Sequence, residues 1–195
     1  MKNIKISTTL GLISLVCALL IALMNMVTKP IITTHDAETE LETCKQIFAA
    51  YDEKNSNEAS KDIKLDGKDS RIIKIIIAVD GDNDLLGTIY KVSGKNAYGT
   101  ITLMVGITAD NKVCKVEFIE NGQSFASTVN DNVLKYYPST PSTDVHIGAY
   151  SKGDTKEVGE LETLDGVDVK CGATYGATLV KELVQVALDD AKEAK

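Results

Sequence analysis

Tyr98-Gly99-Thr100-Ile101-Thr102-Leu103-Met104-Val105-Gly106-Ile107-Thr108 reads as a β-strand. Ile101, Leu103, Val105 and Ile107 recur at every second residue, which places them on one face of an extended chain. Ala109-Asp110-Asn111-Lys112 then makes a turn. Val113 to Glu120 returns as a strand, with Cys114, Val116 and Phe118 alternating against Lys115 and Glu117. Upstream, Arg71-Ile72-Ile73-Lys74-Ile75-Ile76-Ile77-Ala78-Val79 is rich in β-branched residues and too short to span a bilayer, so it is a further strand. Asp80 to Asp84 is a turn, and Leu85 to Val92 runs back. Four strands joined by short connections predict an antiparallel sheet.

Helical patterns flank this sheet and make the chain α+β. Leu179, Val180, Leu183, Val184, Ala187 and Leu188 form the apolar stripe of a C-terminal helix whose other face is Lys, Glu, Gln and Asp. Ser127 to Tyr137 is a short helix stopped by Pro138. Asp36 to Tyr51 spaces Leu41, Cys44, Ile47, Phe48 and Tyr51 as a third helix. Glu53 to Ser70 is polar and reads as a surface loop or small irregular insertion. Pro138 to Thr163 reads as mostly loop, with a short extended segment at Val145 to Tyr150.

The N-terminus is of another kind. No charged residue occurs from Ile6 to Thr28, and Leu10 to Val27 is dominated by Leu, Ile, Ala, Val and Met, a length that crosses a bilayer as a helix. The competing reading is a cleaved secretory signal, but Ile21-Ala22-Leu23-Met24-Asn25-Met26 offers no good small-x-small site. Lys2 and Lys5 precede the run, whereas Asp36, Glu38, Glu40 and Glu42 follow it after the single Lys29. The positive-inside rule therefore puts the N-terminus in the cytoplasm and the rest outside the membrane. The expected organisation is a cytoplasmic N-terminus and transmembrane helix over residues 1–30, a membrane-proximal helix and polar connector over 31–70, and an exported domain over 71–195, its antiparallel sheet packed by helices.

Composition narrows the function. The chain carries 21 basic and 28 acidic residues, for a net charge of -7, and three of the lysines lie in the N-terminal segment. Such acidity argues against nucleic acid as a partner. Cys17, Cys44, Cys114 and Cys171 are too unevenly spaced for a zinc or redox pair and read as unpaired small apolar residues, and His35 and His146 are too isolated for a metal site. Asp80-x-Asp82-x-Asp84 opens like a calcium loop, but Leu85 replaces the required Gly and Lys91 the bidentate Glu, so it reads as a solvated turn. Neither His-Glu-x-x-His, Gly-x-Ser-x-Gly nor a Lys-bearing phosphate loop is present.

The chemistry concentrates in Asp168-Val169-Lys170-Cys171-Gly172-Ala173-Thr174-Tyr175-Gly176-Ala177-Thr178, directly before the C-terminal helix. Two Gly-Ala-Thr triplets stand here. Small residues leave backbone N–H groups bare, and a helix N-terminus favours an anion, so a threonine hydroxyl here sits where a phosphate would bind. An ordinary N-cap has the same composition.

That stretch resembles the flavinylation motif Asp-x-x-Ser/Thr-Gly-Ala-Thr of RnfG, the FMN-binding component of Rnf electron-transport complexes, and of its relative in the sodium-translocating NADH:quinone reductase. Asp168 to Thr174 fits it, with Cys171 in place of Ser or Thr. Ala22 to Pro30 is similar to the end of the family's anchor, and Tyr98 to Ile107 to the strand before its flavin-facing loop, so the likeness covers nearly the whole chain. The loop itself departs: the family usually carries Glu-Thr-Pro-Gly-Leu-Gly where this chain has Glu120-Asn121-Gly122-Gln123-Ser124-Phe125-Ala126, and no contact residue is carried over from it.

The resemblance implies an exported FMN-binding domain holding covalent FMN, its phosphate joined to a threonine hydroxyl by a flavin transferase. Thr174 and Thr178 compete for that role. Thr174 has Asp168 at the motif distance, whereas the same offset from Thr178 lands on Gly172. Thr174 is therefore the expected attachment residue, with Asp168, Cys171, Gly172, Ala173, Tyr175 and Thr178 around the cofactor and the second triplet capping the helix. Implied further is a redox relay that catalyses nothing by itself, within an ion-translocating ferredoxin:NAD oxidoreductase of integral-membrane, iron–sulfur and flavin subunits. A free-standing anchored flavoprotein and a non-redox anchored binding module, with the triplet as a mere cap, are the alternatives.

Overall fold

The computed structural model describes residues 2–133, 136–138, 160–164, 167 and 173–194. Compact units are formed by Met1–Glu40 and by Leu41–Lys195. The apolar N-terminal run and the pattern expected over Asp36 to Tyr51 belong to one helix, α1 (Lys2–Ile47). Within it Thr8–Met26, with a mean hydropathy of 2.2 and none of its surface buried, is long and apolar enough to cross a membrane. The helix stops at Ile47, short of Tyr51, where a turn closes through the Tyr51 N–H donating to the Phe48 carbonyl at 2.9 Å.

In the second unit the sheet is β1 (Ile72–Val79), β2 (Leu85–Asn96), β3 (Gly99–Thr108) and β4 (Val113–Asn121), in the order β1-β2-β3-β4 with every neighbour antiparallel. Tight turns make this order. Asp80 Oδ1 accepts from the N–H groups of Asp82 and Asp84, both at 2.9 Å, and Asn83 and Asn111 supply the left-handed positions that asparagine tolerates.

Both faces of the sheet are covered. Ile101, Leu103, Val105 and Ile107 share one core with Val129 and Val133 of α3 (Ala126–Val133) and with Leu179, Val180, Leu183, Val184, Ala187 and Leu188 of α4 (Thr174–Glu193). On the other face Cys44, Ile47 and Tyr51 pack with Ile76, Ala78, Ile89 and Met104. The approach is close: a Cβ added to Gly106 would stand 2.3 Å from Ile47 Cγ2, so only glycine admits the helix end there.

Simple alternation fails in β4. Gly106 pairs with Lys115 and Ile107 with Val113, which leaves Cys114 as the extra residue of a bulge. Val113 and Val116 therefore face the α4 side, while Cys114 packs against the α1 side, contrary to the alternation expected of Cys114 and Val116. Lys115 is likewise buried rather than solvated. Its Nζ donates to the Gln46 carbonyl at 3.0 Å, satisfying a carbonyl of the last turn of α1, and pairs with Glu117 at 3.1 Å.

A second correction concerns the polar stretch after Tyr51, which contains a helix, α2 (Glu53–Ser60). Asp52 caps it, its Oδ1 accepting from the Asn55 N–H at 2.8 Å. Ser56 Oγ, fully buried, accepts from the Val79 N–H at 3.1 Å and donates to the Val79 carbonyl, and Ser60 Oγ accepts from the Ile77 N–H at 2.8 Å. The helix is seated on β1 by hydroxyls, which leaves no apolar stripe to read in the sequence.

The far end of α4 is tied down by charge. Asp190 is buried, takes Lys68 Nζ at 2.7 Å on one oxygen and accepts from the Tyr90 hydroxyl at 3.2 Å on the other. Burial, with Asp190 beside it, raises the Tyr90 phenol well above its ordinary range. The segment Val145 to Tyr150 lies outside the described residues.

Two outcomes follow. We expect Lys115→Met to destabilise the chain by about 1.5–3 kcal/mol in urea unfolding, the cost of a lost hydrogen bond from a charged donor. Burial, then nearby Glu160, pushes the Cys114 thiol up to about 12, so it stays protonated and unreactive at mildly alkaline pH. We expect its alkylation at about pH 8 to be at least about tenfold slower in the folded chain than in urea, read by peptide mass spectrometry.

Candidate functional site

The N-terminus of α4 lies at Thr174, and Ala173 is its N-cap, a residue type that makes no side-chain cap bond. The first backbone bond of the helix runs from the Ala177 N–H to the Ala173 carbonyl at 3.0 Å. The N–H groups of Thr174, Tyr175 and Gly176 thus precede the helix's own ladder and carry its positive dipole end, with no acidic residue in the first turn. Thr174 is exposed, and among the described residues its hydroxyl makes no hydrogen bond.

The helix begins one triplet earlier than expected. Gly176, Ala177 and Thr178 lie inside the first turns, so the second triplet is not the cap. Its small residues serve packing instead. A Cβ on Gly176 would stand 2.6 Å from Val129 Cγ2, and Ala177 is buried in the core. Thr178 is exposed and one turn on from Thr174.

Around Thr174 opens a cleft of about 230 Å3, lined by Tyr98, Gln123, Phe125, Val129, Ala173, Thr174, Tyr175 and Gly176. The Tyr98 and Tyr175 rings lie 5.3 Å apart at 33°. Phe125 is 61% exposed and Tyr175 66%, and large rings gathered in the open are the mark of an interaction surface.

Side-chain amides join the walls. Asn96 Nδ2 donates to the Tyr175 carbonyl at 3.1 Å, and Asn96 Oδ1 accepts from the Tyr98 N–H at 2.8 Å. Gln123 Nε2 donates to Asn96 Oδ1 at 2.9 Å and to the Gly99 carbonyl at 2.8 Å. The β2–β3 hairpin tip, the β4–α3 loop and the first turn of α4 are thereby one hydrogen-bonded corner.

Of the residues expected at the site, Ala173, Thr174 and Tyr175 line the cleft, and Thr178 is not among its lining residues. Asp168, Cys171 and Gly172 lie outside the described residues. Sequence reasoning missed Tyr98, Gln123, Phe125 and Val129, which come from a hairpin tip, a loop and a short helix far apart in the chain. A lone phenylalanine within the polar loop Asn121 to Ala126 was the one local signal.

The corner offers uncapped N–H groups and a free hydroxyl for a phosphate, next to exposed rings for a planar heterocycle. It fits a flavin mononucleotide by the chemistry of its groups. Residues 2–47, the whole of α1, match the family described as RnfG N-terminal region. Residues 97–189 match the FMN-binding domain and include every residue that lines the cleft. No curated protein matches the chain.

The Gly176 contact can be checked directly. We expect Gly176→Val, which must displace Val129 or the first turn of α4, to lower stability by about 1–3 kcal/mol in urea unfolding.

Proposed function

Because the chain belongs to the RnfG family, the FMN-binding components of Rnf complexes, we propose that it carries FMN covalently on Thr174 and relays electrons within a membrane-bound, ion-translocating ferredoxin:NAD oxidoreductase. Membership in that family implies a complex with other Rnf subunits. The observation that carries the covalent reading is the placement of Thr174: exposed, with a free hydroxyl among the described residues, first in an uncapped helix, and on the rim of an aromatic cleft.

The attachment is a phosphoryl transfer. Thr174 Oγ1 forms a bond to the FMN phosphorus of flavin adenine dinucleotide, the bond from that phosphorus to the bridging oxygen breaks, and AMP leaves. An ordinary threonine hydroxyl is too weak a nucleophile alone, so a flavin transferase with its metal takes the proton and stabilises the leaving group. The product phosphodiester keeps one negative charge, which the first-turn N–H groups of α4 favour.

When bound, the flavin supplies reversible electron transfer at its ring, and the chain supplies position and shelter. Tyr98, Phe125 and Tyr175 flank the cleft with aromatic faces. The tether holds the cofactor where diffusion would lose it. Asp168, Cys171 and Gly172 belong to the stretch the transferase recognises.

The apolar helix Thr8–Met26 suggests a single-pass anchor in membrane lipid. In the reading proposed, Lys2 and Lys5 keep its start in the cytoplasm and the flavin domain stands outside. Residues 1–30 anchor and 71–195 hold the cofactor, while 31–70 lead from the anchor and, from Leu41 on, pack onto the sheet of the same unit. The RnfG N-terminal match favours an Rnf component over a free-standing anchored flavoprotein, and the FMN-binding match favours it over a non-redox binding module.

The test is co-expression with the flavin transferase, acid precipitation and flavin fluorescence on a denaturing gel. We expect a fluorescent band for the unaltered chain and for Thr178→Ala, and none for Thr174→Ala. A band that survives in Thr174→Ala, or none in the unaltered chain, overturns the assignment.

A further inference from the structure

We infer that Gln123 is a positioning residue for the flavin ring, its side-chain Oε1 accepting a hydrogen bond from the N3–H of the isoalloxazine; this rests on the flavin reading above.

The orientation of the amide is dictated by its neighbours. Gly99 offers Gln123 a backbone carbonyl, which can only accept, so the atom 2.8 Å from it must be the nitrogen. Asn96 is held the same way: the Tyr98 N–H can only donate and the Tyr175 carbonyl can only accept, so Asn96 Oδ1 faces the former and Nδ2 the latter. With its orientation set, Asn96 presents an oxygen to Gln123, which again demands the Gln123 nitrogen. Neither amide can flip without setting acceptor against acceptor. Both Nε2 hydrogens are then spent, and Oε1 is left.

That oxygen lies beside Gly176 at the cleft wall. A Cβ built on Gly176 would lie 3.5 Å from it, and both residues line the cleft. Gln123 as a residue is 7% exposed, but its Oε1 is open to solvent, and among the described residues that oxygen has no donor. An acceptor in such a place is satisfied only by a ligand or solvent. On FMN, the phosphate and the ring carbonyls are acceptors and are disfavoured there, whereas N3–H donates in both oxidised and reduced rings. The surrounding walls, Tyr98, Phe125, Val129 and Tyr175, are apolar surfaces that suit the ring rather than the hydroxylated ribityl chain. A ring edge buried among them without an acceptor would leave its N–H unsatisfied.

The test uses the full chain in detergent, loaded by its transferase in cells fed 15N-riboflavin, and follows the N3-bound proton by NMR. We expect Gln123→Leu to keep its covalent flavin, seen as gel fluorescence, while the N3 proton exchanges with solvent about tenfold faster, the effect of losing one hydrogen bond. Asn96→Asp keeps the acceptor for Tyr98 N–H but lacks the donor to the Tyr175 carbonyl, and should accelerate exchange less. If Gln123→Leu does not load, Gln123→Met, of similar length and without a polar group, carries the same comparison. Covalent flavin with unchanged N3 exchange in the variant that loads overturns the role of Gln123 and leaves the flavin reading intact. No covalent flavin in the unaltered chain overturns both.

Discussion

The seating of α4 on the sheet is the constraint on which the site depends. Its stripe of Leu179, Val180, Leu183, Val184, Ala187 and Leu188 is buried against β2, β3 and α3. Each leucine or valine in it contributes about 1.5–3 kcal/mol when removed from water, against about 1 kcal/mol for a typical hydrogen bond. Rotation and axial placement of the helix are therefore set by the core. The Asn96 and Gln123 amides only refine where its first turn comes to rest. Thr174 is presented at the hairpin tip because the apolar residues one and more turns behind it have nowhere else to go.

The opposite end of the helix completes this arrangement. Asp190 is held by Lys68 and Tyr90, and the segment from Ser60 to Arg71 is thereby drawn against α4. A buried carboxylate with partners on both oxygens is costly to break and specific in geometry. Held at its C-terminal end by this cluster and along its length by the stripe, α4 offers its N-terminus as a rigid platform, and rigidity is what a bound group needs if its position is to be reproducible.

How much was legible in the sequence depends on which physical signal carried each part. Strands β1 to β4 and the stripe of α4 were readable because alternation and the helical repeat act over many residues at once. The bulge at Cys114 was not, since it exists only in the pairing with Gly106 and Ile107. Helix α2 was hidden because Ser56 and Ser60 hold it through hydroxyls, and a serine-rich polar run looks the same in a loop. Gly176 was misread for a related reason: a small residue before an apolar run suggests a cap, whereas here it makes room for Val129. At the site, Thr174 was visible in a local motif. Tyr98, Gln123 and Phe125 were not, because they meet only after the sheet and α3 have folded.

The serines of α2 bear on how such a domain behaves when crowded. A terminal strand with bare N–H and carbonyl groups is a template on which another chain can lay a strand, the route to aggregation and fibrils. β1 is such a terminal strand, yet the N–H groups of Ile77 and Val79 are occupied by Ser60 and Ser56, and the Val79 carbonyl takes the Asp52 N–H at 2.9 Å. Intramolecular capture of the Ile77–Val79 end shortens the edge left open to neighbours. A short polar helix is here a safeguard of solubility.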